Sequence, residues 1–133
     1  MALISGVRLV RLDEQASVAE TPFFWVNKNP FKSMYFAVQS MAAELSTAAP
    51  VIMALKAVDA DVAFIIVGLK ADFNKKAQSR IVFTCEDYVH INDAISQLTD
   101  PGDTATITAE TIGRDINDEE VARFYFTWSF RVR

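Results

Sequence analysis

A single cysteine, Cys85, and a single histidine, His90, stand in 133 residues. One thiol can form neither an internal disulfide nor a cysteine-based zinc cluster, and a zinc site would need two further carboxylate ligands at a spacing nothing in the chain supports. A thiol–imidazole pair is also disfavoured. Cys85 shares one face of a strand pattern with Ile81 and Phe83, which predicts a buried, inert thiol, and His90 falls early in a short helix, at or near the surface. The four glycines, Gly6, Gly68, Gly102 and Gly113, are isolated, so no glycine-rich loop can cradle a phosphate. Basic residues are outnumbered 17 to 13 and scattered, with Lys75-Lys76 the only adjacent pair. The clustered positive charge that a nucleic-acid binder needs is missing. The first residues, MALISGVRLVRLDEQ, lack a long apolar run and meet Arg8 and Arg11 early. Neither a signal peptide nor a membrane span is therefore expected, and a reducing cytoplasm fits the cysteine usage. The length predicts one domain, with no room for a separate cofactor domain.

What the chain has in quantity is apolar side chains: 51% of residues are hydrophobic, ten of them Phe. That is more apolar surface than a small monomer easily hides, and it points to a dimer. Val7, Leu9, Val10 and Leu12 mark a short strand, and Phe23, Phe24, Trp25 and Val26 a second apolar run between breakers. From Ser33, a candidate N-cap, to Ala49, the spacing of Met34, Val38, Met41, Leu45 and Ala48 predicts a helix with that stripe buried. Ser40, Ala43 and Thr47, on another side, are small enough to admit a neighbouring backbone. Pro50 should end or kink the helix, with Val51 to Val58 as a short continuation.

The remainder reads mostly as β. Val62 to Phe73 is apolar on both alternating faces in its first half, which suits a central or interface strand better than an edge. After a turn at 74–77, the alternation of Ile81, Phe83 and Cys85 predicts a strand, and Ile91, Ala94, Ile95 and Leu98 a short helix stopped by Pro101-Gly102. Thr104 to Ile112 and Val121 to Val132 form a strand pair across a turn. In the second, Phe124, Phe126, Trp128, Phe130 and Val132 alternate with polar residues. So greasy a face must cover something, and the long helix is the natural candidate. The fold class is α+β, an antiparallel sheet wrapped round a central helix.

Glu44 is the one carboxylate in that helix, with no basic residue within a turn of it. It falls at the edge of the predicted buried stripe, where restricted water would strengthen it as a base. The plainer reading is a carboxylate that bonds a loop backbone or reaches solvent.

The order of these elements resembles the hotdog-fold proteins of the acyl-CoA thioesterase superfamily. Many of those proteins carry two glycines at the head of the central helix, followed about two helical turns later by Asp or Glu. The matching segment here runs from Tyr35 to Glu44, YFAVQSMAAE, with Glu44 on the acidic position. Asn29-Pro30 resembles the polar loop before the helix, and Ala71 to Ala77 the strand-end and turn phrase. Met-Tyr-Phe-Ala at 34–37 and Ala-Ala-Glu-Leu at 42–45 are similar to an uncharacterised branch of thioesterase-like proteins.

The resemblance implies hydrolysis of an acyl-CoA or acyl-carrier thioester, with Glu44 as general base or nucleophile and the backbone amides of Phe36 and Ala37 as oxyanion site. Substrate contacts would come from Asn27, Asn29, Tyr35, Lys75, Lys76 and Arg80, the three basic residues facing coenzyme A phosphates. A solvated hairpin turn with ordinary surface charges is the favoured reading of Lys75, Lys76 and Arg80 on sequence alone, and turn formation by Asn before Pro30 explains at least one of the two asparagines. No metal and no cofactor is implied beyond the coenzyme A of the substrate. A homodimer is implied, or a tetramer, with the groove between subunits and the strand from Val62 to Leu69 paired with its copy. One departure stands out: Phe36 and Ala37 replace the glycines that let a substrate carbonyl approach, and the Phe ring could close the entrance. The alternative is a non-catalytic binder of fatty-acyl or other apolar ligands on the same fold. A cone-shaped fold of the nuclear-transport-factor type usually leads with helices, whereas here strands precede the main helix.

Overall fold

A computed structural model describes residues 6–22, 34 and 36–133. The element order is β1 (Arg8–Leu12), β2 (Ser17–Thr21), α1 (Phe36–Lys56), β3 (Val62–Phe73), β4 (Ile81–Cys85), α2 (Tyr88–Ile95), β5 (Thr104–Arg114) and β6 (Glu120–Val132). The strands form one antiparallel sheet in the order β1-β2-β4-β5-β6-β3, with the long helix packed across one face. This is the hotdog arrangement.

The alternation of β6 sets the core. Phe124, Phe126, Trp128 and Phe130 are all buried on the helix side, and Phe83 of β4 stands edge-on to Phe124 at 5.6 Å. On the outer face the β6–β5 pair carries Tyr125, Thr127 and Ser129 opposite Glu110, Thr108 and Thr106. The Thr108 and Thr127 hydroxyls meet at 2.9 Å.

Large rings on the sheet dictate which side of α1 can approach it. The residues buried are Val38, Gln39, Ala42, Ala43, Ser46, Thr47, Ala49, Pro50, Val51 and Ala54, mostly small. Of the stripe predicted as the core face, Met34 and Val38 are buried, but Met41, Leu45 and Ala48 are only partly covered. The helix is turned so that its small side meets the rings, because bulk on both surfaces would hold them apart.

Two hydroxyls fix that orientation. Ser46 Oγ donates to the Ala43 carbonyl at 2.7 Å, so its 2.6 Å contact with Thr111 Oγ1 of β5 uses the proton of Thr111. Trp128 Nε1–H donates to Thr47 Oγ1 at 3.3 Å. By length and hydropathy alone α1 could cross a bilayer. These bonds and its buried side instead give it the packing of a core helix.

Pro50 does not end the helix, which runs on to Lys56. The lost N–H breaks one helical bond, but Ala49, Pro50 and Val51 are all buried, and that packing carries the chain through. The apolar run 23–26 and the candidate N-cap at position 33 lie outside the described residues.

Among the described residues β3 is the outermost strand, beyond β6, and so not a central strand of this sheet; the interface alternative concerns a second copy. Phe64, Ile66, Leu69, Ala71 and Phe73 lie opposite Phe130, Trp128, Phe126, Phe124 and Ala122, so they continue the helix-side face of the sheet. α1 lies chiefly over β2, β4 and β5 and leaves this end open. Phe64, Ile65, Val67, Leu69 and Phe73 are between 43% and 64% exposed.

β2 has no strand-like pattern in its sequence, SVAET, yet it bridges β1 and β4. Its Glu20 is nearly buried, with Arg8 at 2.6 Å and Arg80 at 3.6 Å.

Candidate active site around Glu44

The head of α1 is anchored by the Met34 N–H, which donates to the Ala77 carbonyl at 2.8 Å. That bond brings the 74–80 segment, with Lys75, Lys76 and Arg80, to the same end of the molecule as Phe36 and Ala37. The amides of these two residues fall in the first helical turn, where no earlier helical carbonyl can accept them. Phe36 is 66% exposed, and its ring stands edge-on to Phe73 of β3 at 6.3 Å. Asn27, Asn29 and Tyr35 lie outside the described residues.

Glu44 is exposed at the rim of a pocket of about 350 Å³ lined by Val7, Met41, Leu45 and Ala48 besides itself. Among the described residues no side chain pairs with its carboxylate. Among the described residues the enclosed position expected from the helical pattern is not formed, since the half-turned stripe places Met41, Leu45 and Ala48 around a pocket. Sequence reasoning read those three residues as core. The signal that could have shown otherwise is the small-residue side of the same helix, which competes for the sheet.

The eight steps from Phe36 to Glu44 advance about 12 Å along the helix axis. One thioester carbonyl cannot span that distance. The helix-head amides and the carboxylate of the same chain thus stand well apart along the helix axis.

The basic residues are differently engaged. Lys75 Nζ lies 3.0 Å from Asp115 and 3.0 Å from Glu119, whose carboxylates hold its proton affinity above the ordinary lysine value. Asp115 is correspondingly held below the usual carboxylate range, first by Lys75 and then by the Glu119 and Asn117 amides. Lys75 thus ties the β3–β4 connection to the β5–β6 turn. Arg80 shares Glu20 with Arg8, while Lys76 is exposed and has no ion pair among the described residues. Lys75 and Lys76 line a shallow depression of about 180 Å³ with Gln78, Ser79, Asp115, Ile116 and Asn117.

Cys85 is 2% exposed, and burial pushes its thiol up to about 12. It is chemically quiet at neutral pH, as its strand pattern predicts. His90 is exposed on α2. Among the described residues no three of His, Cys, Asp and Glu converge as a metal site would require.

No protein-family profile matches the sequence, and no curated protein matches it. Solved structures do. A Pseudomonas aeruginosa protein of unknown function, named a "probable thioesterase", superposes with a TM-score of 0.79 at 22% identity, covering 98% of this chain and 86% of its own. A Chlorobaculum tepidum protein of unknown function gives a TM-score of 0.83 at 12% identity, over 99% and 86% of the two chains. A Haemophilus influenzae thioesterase gives 0.69 at 11% identity, over 98% and 82%. At these identities the likeness is one of fold.

Proposed function

We propose that the chain hydrolyses a thioester of coenzyme A or an acyl carrier, as a homodimer whose sites each combine Glu44 of one protomer with the α1-head amides of the other. The observation that carries this reading is a carboxylate on the central helix with no side-chain partner among the described residues, at the rim of a pocket whose other described lining is apolar. Two of the structural neighbours are named as thioesterases, which supports the reaction class.

The chemistry needs three things at one carbonyl. Glu44 accepts a proton from water as the water oxygen attacks the thioester carbon. The carbonyl oxygen, now negative, is met by the amides of Phe36 and Ala37, which lie in the first turn of α1. Collapse of the tetrahedral species breaks the carbon–sulfur bond, and the proton held by Glu44 passes to the departing thiolate. Attack by Glu44 itself, through an anhydride that water then opens, uses the same groups.

A second copy supplies the missing geometry. Among the described residues no strand pairs with the outer side of β3, twelve residues with exposed apolar side chains, the kind of edge that recruits another strand. Pairing with its own copy would extend the sheet, cover Phe64, Leu69 and Phe73, and bring two α1 helices side by side. Association into a tetramer is compatible with the same pairing. Lys76, which has no ion pair among the described residues, and Arg80, which shares Glu20 with Arg8, would be the cations to meet coenzyme A phosphates. Lys75 is occupied by its two carboxylates.

The test is Glu44→Gln, nearly isosteric and lacking only charge and basicity. On short, medium, long and aryl acyl-CoA substrates, turnover of the best should fall by on the order of a hundredfold or more with little change in binding. A variant that loses thermal stability instead, with activity proportional to folded protein, assigns Glu44 a structural role. Should the wild type bind an acyl-CoA and hydrolyse none, Phe36→Gly decides between a closed entrance, where hydrolysis appears, and a binding protein, where it does not.

A further inference from the structure

Phe36 puts a ring where a glycine would leave no side chain, on a residue whose own amide is proposed to hold the oxyanion. In a helix each Cα–Cβ bond tilts toward the N-terminus, so the ring of the first helical residue leans over the same end that its N–H faces. A carbonyl oxygen held by that amide stands about 2.9 Å from the nitrogen. Whatever the carbonyl carries therefore starts within reach of the Phe36 ring.

That ring has a partner. It stands at 79° to Phe73 with centroids 6.3 Å apart, and Phe73 stands at 86° to the fully buried Phe124 at 5.6 Å. Edge-to-face contacts thus run from the core to the surface and set the outer two rings as a corner. Ser40 Oγ, donating to the Phe36 carbonyl at 2.9 Å, secures the first helical turn behind it. Phe36 is 66% exposed and Phe73 49%, so ring surface of both stays uncovered within the chain. A corner already formed costs a ligand little ordering.

We infer that this corner receives the acyl group, and that the group is aromatic: a ring carried on the thioester carbonyl or one carbon from it. This rests on the reading that the α1-head amides hold that carbonyl. A flat ring entering the corner stacks on one phenyl and meets the other edge-on, the two arrangements that aromatic pairs favour at centroid separations of about 4.5–7 Å. A saturated ring of the same size buries similar apolar area and gains neither contact. Phe36 is then a specificity residue, a wall and not a door. The competing occupant is a side chain of a second copy, since Phe73 ends β3.

Binding to matched esters separates aromaticity from size. Benzoyl-coenzyme A is compared with cyclohexanecarbonyl-coenzyme A, and phenylacetyl- with cyclohexylacetyl-coenzyme A. In Glu44→Gln protein, which spares the thioester, calorimetric titration should find the aryl member of at least one pair bound about tenfold more tightly, as two ring contacts of ordinary strength predict. Phe36→Leu should bring that ratio close to one, Phe36→Tyr should keep it, and Phe73→Leu should lower it about threefold. Both positions are substantially exposed, and thermal unfolding checks that each variant is folded. Equal affinities in both pairs, absence of binding, or a ratio that survives Phe36→Leu overturns the proposal. So does loss of the dimer on sedimentation of Phe36→Leu with no aryl preference in the parent, the result that a partner's side chain in the corner would give. Aryl preference in binding with no hydrolysis by the wild type refutes the catalytic reading and leaves the corner standing. Hydrolysis indifferent to the ring refutes the corner and leaves catalysis standing.

Discussion

Replacing Gly113 with alanine tests how tightly the sheet is packed beneath the helix. Gly113 lies in β5 opposite Phe83 of β4 and Ala122 of β6, with an ordinary strand φ, so any penalty is steric. A Cβ built there comes within 2.6 Å of Cε1 and Cζ of Phe83 and 3.1 Å of Ile81 Cγ2. Neither neighbour has room to retreat. Both are fully buried, and the Phe83 ring is already held edge-on by Phe124, which stacks in turn on Phe126 at 5.9 Å. Overpacking of this kind costs about 1–3 kcal/mol, offset by about 0.4–1 kcal/mol from the restricted unfolded chain. The net loss of about 1–2 kcal/mol corresponds to a Tm lower by roughly 3–10 °C for a domain of this size. Thermal and urea unfolding of the two proteins measure it. A double-mutant cycle adds specificity: Phe83→Leu should cost less in the Gly113→Ala background than alone, because the smaller side chain relieves the clash. A Gly113→Ala protein as stable as the parent, or a strictly additive cycle, would refute the claim that the Phe83 ring is pinned.

Sedimentation should find a homodimer at micromolar concentration, and Val67→Lys combined with Ile65→Lys on the β3 edge should yield a folded monomer with little thioester hydrolysis; a monomeric wild type removes the composite site. Lys75→Ala should lower stability at pH 7 by a modest amount that depends on pH. The folded value of Asp115 lies below its ordinary 3.8, so its contribution is complete above that value and is lost as pH falls through the lowered one. The folded value of Lys75 lies above its ordinary 10.5, so its share is complete below that value and is lost as pH rises past the raised one. The gap between the two proteins in urea midpoint should therefore close at both extremes, and a gap constant from pH 2 to pH 7 would show that the pair contributes nothing electrostatic.

Local periodicity by itself determined most of the elements. The strict alternation of β6, the shorter one around Phe83, the spacing of α2 and the single-carboxylate helix are properties of a few neighbouring residues, and the backbone repeats of 2.0 and 3.6 translate them into faces directly. The quiet Cys85 and the isolation of Glu44 were legible for the same reason. The tertiary structure decided what each face meets. α1 has a long apolar stripe and a small-residue side, either of which could be buried, and the volume of Phe83, Phe124 and Trp128 across from it selects the small side and leaves Met41, Leu45 and Ala48 to form a pocket. Pro50 stays helical because its neighbours are packed. β2 exists because β1 and β4 hold it on either side and two arginines neutralise Glu20, none of which its five residues disclose. Lys75 is committed to carboxylates forty or more positions away. β3 reads as a central or interface strand by its side chains and, among the described residues, lies at the edge by its pairing, since composition reports how much apolar surface a strand carries and only the assembled sheet fixes what is left to cover it.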